Sequence, residues 1–297
     1  IMIVGKHADR IMGFKSELQK KFQVHDLGEI KDFLGTTVYR DRANRVLYMR
    51  STAKILEYVL KFGLNDNTKP TYVPLGDAFQ ITQEPEHVVP TEQFRLKPLV
   101  KGAGTVLEDG HRYGELVGSL LYLANSTRPD ISTAAGILSQ FRERPTTAHW
   151  EEALRTLRYL KDTCTYALRL GGNGPPLEAY TDADLAGCED SRRSRSGFLV
   201  KVFGGVVSWG SKKQKVMSQS TVEAEFQAAC LAINEVNWLR NFLTELGVVV
   251  GPVTLHCDNN GCIRHLDDPV VSSYTKHLAI RFHKTREAVV LGQVVPK

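Results

Sequence analysis

Cysteine is scarce in this sequence and never closely paired. The five cysteines, Cys164, Cys188, Cys230, Cys257 and Cys262, are widely spaced, and no CxxC motif occurs. An odd count at such spacing argues against a zinc site or a disulfide framework and fits a reducing compartment. Long apolar runs are lacking too. No stretch approaches the roughly 18 residues that span a bilayer, so no membrane partner is expected, and no signal peptide is visible. Charge imbalance is slight: 38 Lys and Arg against 33 Asp and Glu leave a net charge of +5. Such a balance permits a polyanionic partner without demanding one. An initiator Met is missing from the first position, where the chain opens Ile1-Met2-Ile3-Val4. With its far end at Val294-Val295-Pro296-Lys297, the chain reads as cut from something longer.

What is present suits a soluble globular protein. Hydrophobic residues make up 42% and charged residues 24% of 297 positions. That is ordinary composition, and the length favours two modest domains, each with its own core.

Apolar spacing sets the expected elements. Ile1 to Val4 reads as a buried strand. Ile11, Phe14, Leu18 and Phe22 form one apolar stripe on a helix from His7 to Phe22. Phe33 to Tyr39 and Val46 to Met49 are expected strands, and Ser51 is expected to cap a helix that Gly63 closes. Asn65 to Lys101, with Pro70, Pro74, Pro85 and Pro90 among its residues, reads as loop. Helices are expected over Tyr113–Ala124, Ile131–Phe141 and Ala148–Lys161, the last capped by Thr147. Gly171-Gly172-Asn173-Gly174-Pro175-Pro176 is the clearest linker. Beyond it, strands are expected at Leu177–Asp182, Gly197–Phe203, Val206–Trp209 and Val253–Cys257. Helical stretches cover Thr221–Leu246, a segment from Asn259, and Tyr274–Leu291. This order predicts a mixed α/β sheet with a crossover connection.

Three carboxylates occupy chemically suggestive places. Asp182 and Asp258 follow expected strands, where α/β sheets place their sites. Glu225 lies at the margin of the apolar stripe Val222, Phe226, Ala229 and Ile233, and Glu223 is only slightly less well placed at the other margin. Converging carboxylates repel, and a pair of Mg²⁺ ions is the usual compensation. The bland alternative remains open at this point: Asp after a strand is often a helix cap, and Glu on a helix is usually solvated.

Longer blocks carry more information than spacing. Tyr180-Thr181-Asp182-Ala183-Asp184-Leu185-Ala186-Gly187, with Arg192, Ser194, Ser196 and Gly197 after it, resembles the opening of ribonuclease H domains in copia-type LTR retrotransposons. Val207-Ser208-Trp209-Gly210-Ser211-Lys212-Lys213-Gln214 is similar to that family's third strand. Ser220-Thr221-Val222-Glu223-Ala224-Glu225-Phe226, Cys257-Asp258-Asn259 and Thr275-Lys276-His277 resemble further blocks. Upstream, Leu116-Val117-Gly118-Ser119-Leu120-Leu121-Tyr122, Thr127-Arg128-Pro129-Asp130-Ile131, Ala148-His149-Trp150 and Leu157-Arg158-Tyr159-Leu160-Lys161 resemble the connecting region of the same polyproteins. Asp26-Leu27-Gly28-Glu29 and Phe33-Leu34-Gly35 resemble the end of the reverse transcriptase.

The resemblance implies an α/β (α+β) architecture: a ribonuclease H-like mixed five-stranded sheet with helices, after a partial reverse transcriptase palm and thumb and a helical connection. It divides the chain into a reverse transcriptase remnant at 1–80, a linker at 81–112, the connection at 113–170 and the ribonuclease H-like domain at 177–297. Asp182, Glu225 and Asp258 become catalytic, metal-binding carboxylates for two Mg²⁺ or Mn²⁺ ions. Lys276, His277 and Arg281 become phosphate contacts, with a solvated helix face as the alternative. The implied partners are an RNA–DNA hybrid and the remainder of the Pol polyprotein. The implied location is cytoplasmic, in a virus-like particle, with the nucleus as a second compartment.

The sequence departs from the family's pattern in places. The polymerase aspartate pair would fall before Ile1, and the only adjacent Asp pair, Asp267-Asp268, precedes Pro269. No polymerase activity is expected from this chain alone. A fourth ribonuclease H carboxylate would fall after Lys297. Cys188, Ser191 and Ala279 stand where acidic residues are common in the family. Three readings therefore stand: a ribonuclease H-type hydrolase, an inactive remnant that keeps the fold and weak nucleic-acid binding, and an unrelated enzyme acting on another phosphate ester.

Overall fold

A computed structural model describes residues 2–5, 7–64, 71–75, 105–188, 191–267 and 279–297. Two sheets and two apolar cores organise them.

The first sheet has the order β1-β2-β3-β4 and is antiparallel throughout. Its strands are β1 (Asp32–Phe33), β2 (Thr36–Asp41), β3 (Val46–Arg50) and β4 (Leu168–Gly171). The last of these arrives only after four helices: α2 (Thr52–Lys61), α3 (Gly110–Ser126), α4 (Ser132–Leu138) and α5 (Thr147–Asp162). The helices share a core in which Ile55, Leu116, Leu120, Leu123, Leu138, Leu157 and Leu160 are fully buried. Each such side chain contributes about 1.5–3 kcal/mol by leaving water.

A buried ionic knot crosses this helical unit. Arg128 is 2% exposed. Its Nε and Nη2 donate to Asp130 at 3.0 and 2.7 Å, and its Nη1 donates to the Thr163 carbonyl at 3.1 Å. Tyr159 and Tyr166 flank the guanidinium at about 5.5 Å. Burial alone would raise the Asp130 carboxyl, but Arg128 outweighs it and holds the group below the ordinary carboxylate value. The Thr127-Arg128-Pro129-Asp130 block thus has a structural explanation.

The second sheet has the order β7-β6-β5-β8-β9. β5 (Glu178–Asp184), β6 (Arg195–Val202) and β7 (Gly205–Lys213) form an antiparallel meander. The long helix α6 (Thr221–Glu245) then crosses over to β8 (Val253–Cys257), which lies parallel to β5. α7 (Asn260–Asp267) and α8 (Ala279–Val290) follow, and β9 (Val294–Pro296) adds parallel to β8. Ala179, Val200 and Leu255 on the sheet meet Phe226, Ala229, Ile233 and Val236 on α6. The mixed five-stranded sheet expected of the last segment is therefore present, and α6 is one helix.

Several local expectations need correction. Met2 to Gly5 form no strand, and Val4 is 81% exposed; among the described residues no partner strand lies beside them. The helix α1 (Ala8–Lys21) exists, but it has no buried residues, and Phe14 and Phe22 of its apolar stripe are exposed, so the stripe joins neither core. Ser51 precedes α2 without capping it. Its buried hydroxyl instead bridges Thr36 at 3.3 Å and Thr127 at 2.9 Å. Thr146, not Thr147, caps α5, in a capping box with His149. Most of the expected Asn65–Lys101 loop, and the start of the expected Tyr274–Leu291 helix, lie outside the described residues.

The glycine-rich segment after β4 is a packed corner rather than a free linker. The Pro175 carbonyl accepts from Phe203 N at 3.0 Å. A Cβ on Gly174 would sit 2.5 Å from Gly204 N, in the turn between β6 and β7. Trp209 on β7 also donates from Nε1 to the Ala124 carbonyl at 2.7 Å, so the helical unit rests on the second sheet.

Candidate metal centre at the strand tips

Parallel pairing of β5 with β8 brings two aspartates side by side. The ladder matches Thr181 with Cys257, so Asp182 and Asp258 lie just beyond the last pair. Neither needs to cap a helix, and both line a cleft of about 620 Å³ on the open face of the sheet. Pro129, Ser132 and Thr133, around the start of α4, form the far wall of that cleft. Asp182 sits opposite Gly197 on β6, whose missing side chain leaves the cleft floor clear.

Glu225 approaches from the helix side. It lies in the second turn of α6 and is only 6% exposed. Its Oε1 accepts from the backbone N–H of Ala183 at 3.1 Å. Its Oε2 is buried with no hydrogen-bond partner. Burial raises this carboxyl to about 7, the Ala183 hydrogen bond opposes the rise, and the charges of Asp182 and Asp258 add to it. All three carboxylates therefore act on one region. The tightest set of possible ligand atoms is Glu225, Cys257 and Asp258, all within 4.8 Å of one another. Asp182 stands outside that set, although its charge acts on Glu225.

A buried network fixes where Glu225 can point. Gln214 Nε2 donates to Ser196 Oγ and to the Ala224 carbonyl, both at 2.9 Å. Ser218 Oγ donates to Gln214 Oε1 at 2.6 Å, and Gln227 Nε2 donates to Ser218 Oγ at 2.9 Å. Together these clamp the first turns of α6 to β6. Spacing arguments missed the role of these residues, because Gln214 and Ser218 fall between the expected strand and helix, where polar residues read as an ordinary connection. Glu223 is placed differently from Glu225, because its Oε2 accepts from Gln219 N at 2.8 Å at the helix start.

A second polar group flanks the aspartates. Tyr180 stacks on His256 with ring centroids 4.5 Å apart, and Lys201 Nζ lies 4.4 Å from the Tyr180 ring. Glu178 lies 3.6 Å from Lys201 and 4.0 Å from His256. Of the three basic residues expected at phosphates, Lys276 and His277 lie outside the described residues. Arg281 belongs to α8, but its side chain is outside them too.

The donor set fits divalent cations. An acidic cluster with an unpartnered, buried carboxylate oxygen lacks positive charge, and hard oxygen ligands are what Mg²⁺ and Mn²⁺ take.

The chain resembles known proteins along most of its length. No family model matches the chain. The chain is 38% identical to the retrovirus-related Pol polyprotein from transposon TNT 1-94 of Nicotiana tabacum, over 97% of its own length and 21% of the relative's. It is 34% identical to the corresponding polyprotein from transposon RE1 of Arabidopsis thaliana, over 98% of its length and 19% of the relative's. The chain thus spans about a fifth of the length of these two curated relatives. Among solved structures it is similar to LC11-RNase H1 isolated from compost, at 18% identity and a TM-score of 0.31, covering 42% of this chain and 83% of that one. By this likeness along nearly its whole length, the chain belongs to the retrovirus-related Pol polyproteins of copia-type transposons.

Proposed function

We propose that the chain hydrolyses the RNA strand of RNA–DNA hybrids, using divalent cations held by Asp182, Glu225 and Asp258. The observation that carries this reading is the buried, unpartnered Oε2 of Glu225 beside two aspartates at adjacent strand tips. Two bound Mg²⁺ or Mn²⁺ ions would activate water and stabilise the leaving oxygen of a phosphodiester.

The protein's own groups do the rest. The Ala183 N–H holds Glu225 Oε1, which leaves Oε2 to face the aspartates. With a value of about 7, Glu225 shares a proton with solvent near neutrality and releases it when a cation arrives. The open cleft beside Asp182 and Asp258 admits a backbone segment, and Tyr180 and His256 offer a stacking surface at its edge. Lys276, His277 and Arg281 would contact phosphates, and the ribose 2′-OH would mark the RNA strand.

The proposal extends to the wider setting. The remainder of the Pol polyprotein would be the physical partner, in a cytoplasmic virus-like particle and in the nucleus. No helix among the described residues is long and apolar enough to cross a membrane.

The test is direct. The purified chain is offered a labelled RNA–DNA hybrid with Mg²⁺ or Mn²⁺. Cleavage that disappears in Asp182→Asn supports the hydrolase. A hybrid left intact at high protein concentration supports the inactive remnant, which the position of Asp182 outside the tightest ligand set favours.

A further inference from the structure

Cys257 is the unexpected member of the strand-tip cluster. It ends β8, faces the α6 side of the sheet and is 7% exposed. Its Sγ lies within 4.8 Å of carboxylate oxygens of both Glu225 and Asp258. The thiol is not oxidised, and its contacts are weak: Asn259 O at 3.9 Å and an S–H donated by the fully buried Cys262. The second observation is independent of the cysteine. Glu225 Oε2, on a side chain 6% exposed, has no hydrogen-bond partner.

We propose that Cys257, Glu225 and Asp258 form a site for a thiophilic divalent cation, zinc or cadmium, which excludes magnesium from the same carboxylates. The proposal deepens the hydrolase reading, since the two share Glu225 and Asp258.

The chemistry favours a soft ion. Magnesium takes oxygen ligands in octahedral geometry and gains nothing from sulfur. Zinc takes sulfur at about 2.3 Å and carboxylate oxygen at about 2.0–2.2 Å, tetrahedrally, so its ligands stand about 3.5 Å apart. Atoms already within 4.8 Å reach that spacing by small side-chain rotations. On binding, the Cys257 thiol gives its proton to solvent and the thiolate sulfur becomes the ligand. Cys262 remains beside it as an S–H donor, which orients the thiolate. Three ligands leave a fourth position for water. Cysteine spacing could not reveal such a site, because its other two ligands are carboxylates: Asp258, next to Cys257 in sequence, and Glu225 on α6.

The experiment is a titration of the reduced, full 297-residue chain with cadmium chloride, followed by the ultraviolet thiolate-to-cadmium charge-transfer band. One equivalent should saturate the band, and zinc should abolish it by competition. Cys257→Ser should lose it, whereas Cys164→Ser should keep it. Glu225→Gln, which retains the thiol, should weaken cadmium binding by about tenfold or more. Magnesium in large excess should shift the titration to higher cadmium. A band that fails to form, or persists in Cys257→Ser, overturns the proposal. If Cys257→Ser does not fold, unchanged affinity in Glu225→Gln overturns it instead. Hybrid cleavage is scored separately. A cysteine-dependent band without cleavage removes the hydrolase and leaves this site standing; cleavage without the band does the reverse.

Discussion

Glu225 Oε1 accepts a hydrogen bond of 3.1 Å from Ala183 N, the residue immediately after Asp182 and 42 positions away in sequence. This bond joins the helix that supplies one carboxylate to the strand that supplies another. It leaves the second oxygen of Glu225 buried and unpartnered.

Glu225→Gln should therefore stabilise the metal-free chain at pH 8. A neutral amide keeps the Ala183 hydrogen bond, removes a buried charge and can donate to the nearby aspartates. The expected gain is about 1 kcal/mol, read as a higher melting temperature in EDTA. The same substitution should erase most of the stabilisation that Mg²⁺ gives the parent chain. A lower melting temperature in EDTA would contradict the burial argument.

The pH dependence has a definite sign. The folded value of Glu225, about 7, lies above its ordinary 4.5, so the native chain keeps a proton that the unfolded chain releases. Its stabilising contribution is complete below pH 4.5 and is lost as pH rises through 7. Cations bind the ionised form. Mg²⁺ should thus raise the urea midpoint more at pH 8 than at pH 5, and Glu225→Gln should flatten that difference.

Arg128→Met should cost stability without touching the strand tips. It leaves Asp130 without its guanidinium in a half-buried setting. Breaking a fully buried pair costs about 3–5 kcal/mol. The loss here should fall at the low end, because Asp130 is 33% open to solvent. Asp130 titrates below its ordinary 3.8, so the pair's contribution is present above that pH and disappears as acid protonates the carboxylate. Denaturation curves at pH 7 and at successively lower pH should show the mutant effect shrinking as the pH falls below 3.8.

Two glycines separate crowding from backbone strain. Gly63 has φ +73 with nothing near its absent side chain, so Gly63→Ala should cost about 1–2 kcal/mol from the left-handed backbone alone. Gly174 has open dihedral choice but no room, since a Cβ would meet Gly204 N at 2.5 Å. Gly174→Ala should cost more, about 1–3 kcal/mol or above, and loosen the corner. Limited proteolysis around 171–176 should rise in Gly174→Ala and not in Gly63→Ala.

Parts of the second sheet were legible where the apolar pattern is regular. β8 matches the alternating run Val253 to Cys257, and α6 follows from the stripe Val222, Phe226, Ala229 and Ile233. Glu225 and Glu223 could not be separated by periodicity, since both flank that stripe. Their difference lies in their partners: Glu225 accepts from Ala183 N on β5, which is remote in sequence, whereas Glu223 accepts from Gln219 N at the helix start. β4 was invisible for another reason. Leu168 to Gly171 is too short to show a period, and its partner β3 belongs to the other end of the helical unit. The stripe of α1 was read correctly as amphipathic, yet an apolar stripe says nothing about which surface receives it.

The pairing of β3 with β4 has a consequence for synthesis. A ribosome must deliver every helix of the first unit before Gly171 emerges to meet Val46. During that interval the outer edge of β3 has free amide and carbonyl groups, and a neighbouring nascent chain can offer the same edge. Crowded translation of this message should thus favour tangling between copies at β3, whereas slow, well-separated translation should favour the native sheet.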